Sequence, residues 1–116
     1  MSSRLTLTVT VVPAVLMSTI TAIAGDLPNY PVEKWCSSIA SASGAKSEMV
    51  YGGCMDQEQT AYDSLKTTWA DLPQQTKNWC DQIARAAGGG SYMVLKACVD
   101  QEDAARRQNS NRQFQR

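Results

Sequence analysis

The sequence predicts an all-α fold in which two tandem helical hairpins, each stapled by a disulfide bond, form a small four-helix array. Three observations predict it. One stretch of sequence occurs twice, 44 residues apart. Each copy carries two segments with helical periodicity separated by a turn, and each copy holds two cysteines placed symmetrically about that turn.

The duplication is direct and has no gap. Residues 35–61 and 79–105 are identical at 14 of 27 positions, which chance does not produce. Each copy is therefore one structural unit, over about 30–71 and 74–108, within a single helical domain at 25–108. Two units are too few for an open solenoid, so we expect their apolar faces to close on each other.

The first helix of each copy has one apolar face, seen at intervals of three and four residues from Val32 to Ala40. Glycine ends it, at Gly44 in one copy and at 88–90 in the other, because glycine readily adopts the left-handed conformation of a helix C-cap. Ser47 and Ser91 then lie where an N-cap belongs.

The second helix of each copy also has one apolar face. Gly52 and Gly53 lie inside it in the first copy, and each should destabilise the helix by about 1 kcal/mol relative to alanine. Pro73 restarts the chain into the next helix. The residues of this face are Val50, Cys54, Gln57, Ala61, Leu65 and Trp69 in the first copy and Val94, Cys98, Gln101 and Ala105 in the second.

The cysteines are predicted to pair within each copy. Four cysteines allow three pairings. In an antiparallel hairpin, however, the residue numbers of two facing residues add up to a nearly constant value, which we call the index sum. Cys36 and Cys54 each lie nine residues from the middle of the first turn, and Cys80 and Cys98 nine residues from the middle of the second. Bridges 36–54 and 80–98 follow, and each should stabilise the fold by about 3 kcal/mol.

Redox catalysis and metal binding are the alternative roles for these cysteines. The mature sequence has no Cys-x-x-Cys pair, and the chain has no histidine. A catalytic Cys/His dyad and a mixed Cys/His zinc site are therefore excluded. Structural bridges remain the favoured interpretation.

Both copies also retain an Asp-Gln-Glu motif. The index sum places Glu58 opposite position 32 and Glu102 opposite position 76, in the first turns of the opposing helices, where backbone N–H groups lack partners. A carboxylate there would accept hydrogen bonds and meet the positive end of the helix dipole. The predicted capping residues are Gln57, Glu58, Gln101 and Glu102.

Acid/base chemistry or cation binding is the alternative role for this motif. Asp56 and Glu58 are two residues apart and diverge by about 200° around a helix, so one copy cannot direct both carboxylates at one atom. Trp35 and Trp79 are expected to pack in the core beside the bridges, with carbohydrate or ligand stacking as the alternative. Met49 and Met93 are expected to be core residues rather than ligands of a soft metal.

Charge is balanced overall but unevenly distributed. The chain has 11 Lys and Arg and 11 Asp and Glu, yet residues 25–72 carry a net charge of −4 and residues 73–116 one of +3. Residues 109–116 are predicted to form a basic flexible tail. Either the last arginines belong to a solvated helix end, or they contact an acidic partner or an anionic surface. These arginines are Arg106, Arg107, Arg112 and Arg116.

The N-terminal segment is typical of a signal peptide, predicted at 1–24. No charge occurs between Leu5 and Ile23, and Ala22-Ile23-Ala24 fits the cleavage rule before Gly25. An uncleaved anchor is the alternative. After cleavage no transmembrane segment would remain, and we expect a periplasmic or secreted protein in a compartment that oxidises thiols.

The second copy resembles a group of small exported proteins, mainly proteobacterial, through Trp-Cys-x-x-Ile-Ala at 79–84 and Cys-Val-x-Gln-Glu at 98–102. The resemblance implies a small helical exported domain and brings no assigned activity, cofactor or catalytic residue. The first copy departs from the pattern in its turn, where Gly44-Ala45-Lys46 replaces three glycines.

The sequence as a whole predicts a non-catalytic binding protein that acts through protein contacts, with no cofactor and no nucleic-acid partner. A secreted inhibitor or effector directed at an enzyme or a host is the alternative. An enzyme ranks last, because the chain lacks histidine, the commonest general base, and the Asp-Gln-Glu carboxylates are its only candidate groups.

Overall fold

A computed structural model describes residues 27–116 and the isolated Thr10. The predicted signal peptide, at 1–24, lies outside the continuous described range. Residues 27–116 form four α-helices and no strand, so the all-α prediction is confirmed. No helix in this part of the chain is both long and apolar enough to cross a membrane.

The four helices form two consecutive hairpins, as predicted. The first hairpin pairs α1, Val32–Ala40, with α2, Glu48–Thr68, and a 3-10 turn over Trp69–Asp71 follows. The second hairpin pairs α3, Gln74–Ala86, with α4, Tyr92–Asn109.

The second helix of each hairpin begins at the predicted serine. Ser47 Oγ accepts a hydrogen bond from the backbone N–H of Val50, and Ser91 Oγ accepts one from the backbone N–H of Val94, each at 3.3 Å. Each serine thus satisfies one donor of the first helical turn. The predicted N-caps are confirmed.

Both predicted disulfide bonds are confirmed. Cys36 is bonded to Cys54 and Cys80 to Cys98, with Cα atoms 5.5 Å apart in each pair. Cys36 and Cys80 are fully buried. Each bridge therefore joins the two helices of one hairpin on its inner face.

The two hairpins join along α2 and α4, where most of the core lies. Helix α1 packs on α2 outside this core, through the buried Cys36 and Ala40. The buried residues of the core are Tyr30, Ala61, Leu65, Trp69, Cys80, Ala84, Tyr92, Leu95 and Val99.

The glycine turn of the second hairpin packs against the first. Gly88 and Gly90 both have positive φ, at 57° and 137°. A Cβ atom at Gly88 would overlap the ring of Trp35, and one at Gly90 would overlap the ring of Tyr30. Glycine at these positions therefore serves a close approach between hairpins as well as the turn itself.

The core prediction is wrong for three large apolar residues. Trp79 is 51% exposed, Met93 42% and Met49 85%. The two methionines lie in the first turns of α4 and α2, outside the seam, which is the buried contact between α2 and α4 that joins the two hairpins. Trp79 differs from its counterpart Trp35 because the turn of the second hairpin packs against Trp35, whereas no element within 27–116 covers Trp79 in the same way.

Candidate functional site

Glu58 is a buried carboxylate that holds the start of α4. Its side chain is buried, and its residue is only 1% exposed. Oε1 accepts a hydrogen bond from Ser91 Oγ at 2.5 Å, and Oε2 accepts one from the backbone N–H of Tyr92 at 2.6 Å. The negative charge also faces the positive end of the α4 dipole, so Glu58 links the two hairpins.

This position corrects the prediction for Glu58, which was the start of α1, opposite position 32. The index sum gives the height of a residue along its own hairpin. It does not tell which of two neighbouring helices that residue contacts. Because α2 lies between α1 and α4, the side chain of Glu58 contacts α4 instead.

The predicted capping by the other three residues is not seen. Gln57 and Gln101 are exposed, and Glu102 is only partly buried. None of their side chains makes a hydrogen bond to any residue in 27–116. The motif is thus repeated in sequence, but only one of its two glutamates meets a helix start in the described part of the chain.

Two tyrosines tie the segment before α1 to the second hairpin. Tyr30 donates a hydrogen bond from its hydroxyl to Asp81 Oδ1 at 2.7 Å, and Tyr92 donates one to the carbonyl of Pro28 at 2.6 Å. The two rings lie 4.7 Å apart. Burial, together with the hydrogen bond to Asp81, raises the pKa of Tyr30 well above its ordinary value. Sequence reasoning missed this cluster because no local pattern links 30, 81 and 92.

An open groove of about 820 Å³ lies between α3 and α4. Trp79 lies half exposed in it, and Glu102 and Arg106 also line it. The rest of the lining is rich in amide side chains. The lining residues are Leu72, Pro73, Gln75, Thr76, Asn78, Trp79, Gln82, Val99, Glu102, Asp103, Ala105, Arg106 and Asn109.

Several residues that line the groove are the second-copy equivalents of residues at the contact between the two hairpins. In the first hairpin, these equivalents contact the glycine turn or the start of α4, or they lie in the core beside α4. Other lining residues, such as Gln82, correspond to exposed positions of the first hairpin. The matching pairs are Trp35 and Trp79, Glu58 and Glu102, Ala61 and Ala105, Tyr62 and Arg106, and Leu65 and Asn109.

The four predicted contact arginines fall into two groups. Arg106 and Arg107 lie near the end of α4 and each forms a 2.6 Å ion pair with Asp103, while Arg112 and Arg116 follow the helix and are exposed. The hydrogen bond from Arg106 lowers the pKa of Asp103 below its ordinary value. Of the four arginines, Arg106 is the one that lines the groove.

The carboxylates of each Asp-Gln-Glu motif lie in different surroundings. Asp56 is exposed, whereas both oxygens of Glu58 accept hydrogen bonds within the protein. In the second motif, Asp100 pairs with Lys96 at 2.5 Å. Within the described range, no three Cys, Asp or Glu side chains are arranged to hold a metal ion.

Comparison with protein-family models, curated proteins and solved structures finds no match to this chain. The resemblance to small exported proteobacterial proteins therefore stays a prediction.

Proposed function

We propose that this protein is a non-catalytic binding module, periplasmic or secreted, whose protein-contact surface is the groove between α3 and α4. One observation carries the proposal. Trp79 is 51% exposed in this groove, although its counterpart Trp35 is partly buried and packs against the glycine turn of the other hairpin. Tryptophan and arginine are the residues that most often dominate binding energy at protein interfaces, and this groove presents both.

The two disulfide bonds support the assignment to an oxidising compartment. All four cysteines of the described chain are paired, and disulfides persist mainly in secreted, periplasmic and extracellular proteins. The predicted signal peptide at 1–24 would direct the export of the chain to such a compartment.

Site-specific photocrosslinking tests the proposed surface. A photoreactive residue at Gln82, which lines the groove, should give a discrete crosslinked protein in the native compartment. Ser38 occupies the equivalent position of the first hairpin and is the matched control. The substitution Trp79→Ala should abolish the crosslink from position 82. Equal crosslinking from both positions, or a crosslink that persists without Trp79, would argue against the groove as the binding surface.

A further inference from the structure

We propose that the groove of the second hairpin binds the first hairpin of another copy of this chain, in a head-to-tail contact. The proposal rests on the function proposed above and names the partner of that groove. The contact would repeat, between chains, the one that joins the two hairpins within a chain.

The seam inside the chain shows what this surface binds. Trp35 packs against Gly88, and Glu58 accepts hydrogen bonds from Ser91 and from the backbone of Tyr92. The shift of 44 residues relates Gly88, Ser91 and Tyr92 to Gly44, Ser47 and Glu48 of the first hairpin. It relates Trp35 and Glu58 to Trp79 and Glu102 of the second. Each chain thus has a counterpart of these residues on both sides of a second contact.

Among residues 27–116, nothing covers either side of this second contact. A Cβ atom at Gly44, which has a φ of 115°, would meet no atom within 4 Å, so its turn is free to receive a ring as Gly88 does. Ser47 caps its own helix just as Ser91 does. Glu102 makes no side-chain hydrogen bond to residues 27–116, and Trp79 is half exposed.

One pair of residues that differs between the two contacts has complementary charges. In the seam within the chain, the rings of Tyr62 and Tyr92 meet edge to face, 4.9 Å apart. The corresponding pair in the proposed contact is Arg106 with Glu48 of the next copy. The Glu48 side chain is 80% exposed and lies 3.6 Å from Lys46. Arg106 already pairs with Asp103, but a guanidinium has five donors and can bind a second carboxylate.

The wider charge distribution favours the same orientation. Residues 25–72 carry a net charge of −4 and residues 73–116 one of +3, so a head-to-tail arrangement brings unlike halves together. Arg106 and Asn109 replace the Tyr62 and Leu65 of the internal seam, which makes the contact between chains more polar. We therefore expect association that is reversible and weakened by salt. Because the contact is heterologous, it generates rings or open filaments rather than a two-fold dimer.

Complementary charge reversals test the proposal on the purified chain by sedimentation velocity over a range of concentrations. The average mass of the wild type should rise with concentration. Arg106→Glu alone places two glutamates together, and Glu48→Arg alone places two arginines together, so each should weaken association on the order of tenfold or more. An equimolar mixture of the two variants should associate again, because every contact in an alternating chain then pairs opposite charges.

Arg107→Glu is the matched control. It makes the same charge change one residue further along α4, outside the groove lining, and should leave association near the wild-type level. Recovery in the mixture also shows that each single variant is folded.

Three outcomes would overturn the self-association. They are a wild-type chain that stays monomeric, association that neither charge reversal weakens, and a mixture that fails to recover. A monomeric chain whose position 82 still crosslinks to a different protein in a Trp79-dependent way would refute self-association and leave the proposed groove function intact. A monomeric chain without that crosslink would refute both.

Discussion

At the scale of single residues, the two glutamates of the repeated motif have separate environments. Glu58 is buried and accepts two hydrogen bonds from the start of α4, whereas Glu102 borders an open groove. Glu58→Gln removes the charge and places an amide donor against groups that already donate. We expect it to lower the free energy of unfolding by about 1–3 kcal/mol.

Glu102→Gln is the control for this prediction and should change stability by no more than about 0.5 kcal/mol. Denaturant unfolding of both variants, monitored by circular dichroism, makes the comparison. Equal losses in the two variants would contradict the different environments of the two glutamates.

The glycines also differ in what surrounds them. Gly90 has a φ of 137° and approaches the ring of Tyr30 too closely for a Cβ atom. We expect Gly90→Ala to destabilise the fold by about 2 kcal/mol or more. Gly53 lies inside α2, and a Cβ atom there would have no neighbour within 4 Å, so Gly53→Ala should stabilise the fold by up to about 1 kcal/mol. Thermal unfolding measures both, and a loss of stability in Gly53→Ala would contradict the prediction.

The buried hydroxyl of Tyr30 predicts a loss of stability at alkaline pH. Burial and the hydrogen bond to Asp81 both favour the neutral phenol, so the pKa of Tyr30 is raised in the folded state above the unfolded value of about 10. The associated stability is complete below pH about 10 and is lost as the pH rises above it.

We expect the free energy of unfolding to fall less steeply above pH 10 in Tyr30→Phe than in the wild type. Tyr92 has its own raised pKa, also through burial, and should preserve part of the slope. Denaturant titrations between pH 8 and 11 measure the slopes, and identical slopes in the two proteins would count against the role of Tyr30.

At the scale of elements, the two disulfide bonds connect different parts of the fold. Their sequence separation is 18 in both cases, so each should lower the entropy of the unfolded chain by a similar amount and stabilise the fold by roughly 3 kcal/mol. Cys80 also belongs to the core between α2 and α4, whereas Cys36 lies outside that core and fastens α1 to α2.

Removal of each bridge by paired alanine substitutions should therefore have different effects. Without the bridge of the first hairpin, the amide protons of α1 should exchange faster while α2 and α4 stay protected. Without the bridge of the second hairpin, protection should fall across all four helices. Hydrogen exchange measures both patterns, and a uniform loss of protection in the first variant would contradict the separate position of α1.

The elements themselves were predictable because their signals are local. Glycine and serine mark the turn and the N-cap of each hairpin, and the cysteines lie at equal distances from the turn. The exposure of Trp79 and the contact of Glu58 with α4 were not predictable in this way. Both depend on which face of one hairpin packs against the other hairpin. That packing involves residues far apart in the sequence, so it leaves no periodic pattern in either copy.

At the scale of the whole molecule, one seam joins two hairpins of similar sequence that have different surroundings. The glycine turn of the second hairpin packs against Trp35 of the first hairpin. Trp79 of the second hairpin, in contrast, is half exposed on a more polar face. Here the tryptophan and the glutamate persist on that face, and this pattern underlies the proposed binding groove.

The seam should also make the two hairpins unfold together. Leu95 is fully buried between α2 and α4, so Leu95→Ala should lower the free energy of unfolding by about 2–5 kcal/mol and reduce protection in both hairpins. Ile83→Ala, at a position 37% exposed, should have a clearly smaller effect. Calorimetry together with hydrogen exchange tests this, and a Leu95→Ala protein that loses only one hairpin would contradict cooperative unfolding.

The order of the disulfide bonds has a consequence for biosynthesis. The bonds join the first described cysteine to the second and the third to the fourth, without nesting or crossing. A thiol oxidase that acts on cysteines as they emerge, N-terminus first, would form the native pairs directly. Maturation of this chain should then depend on an oxidase and proceed without a disulfide isomerase.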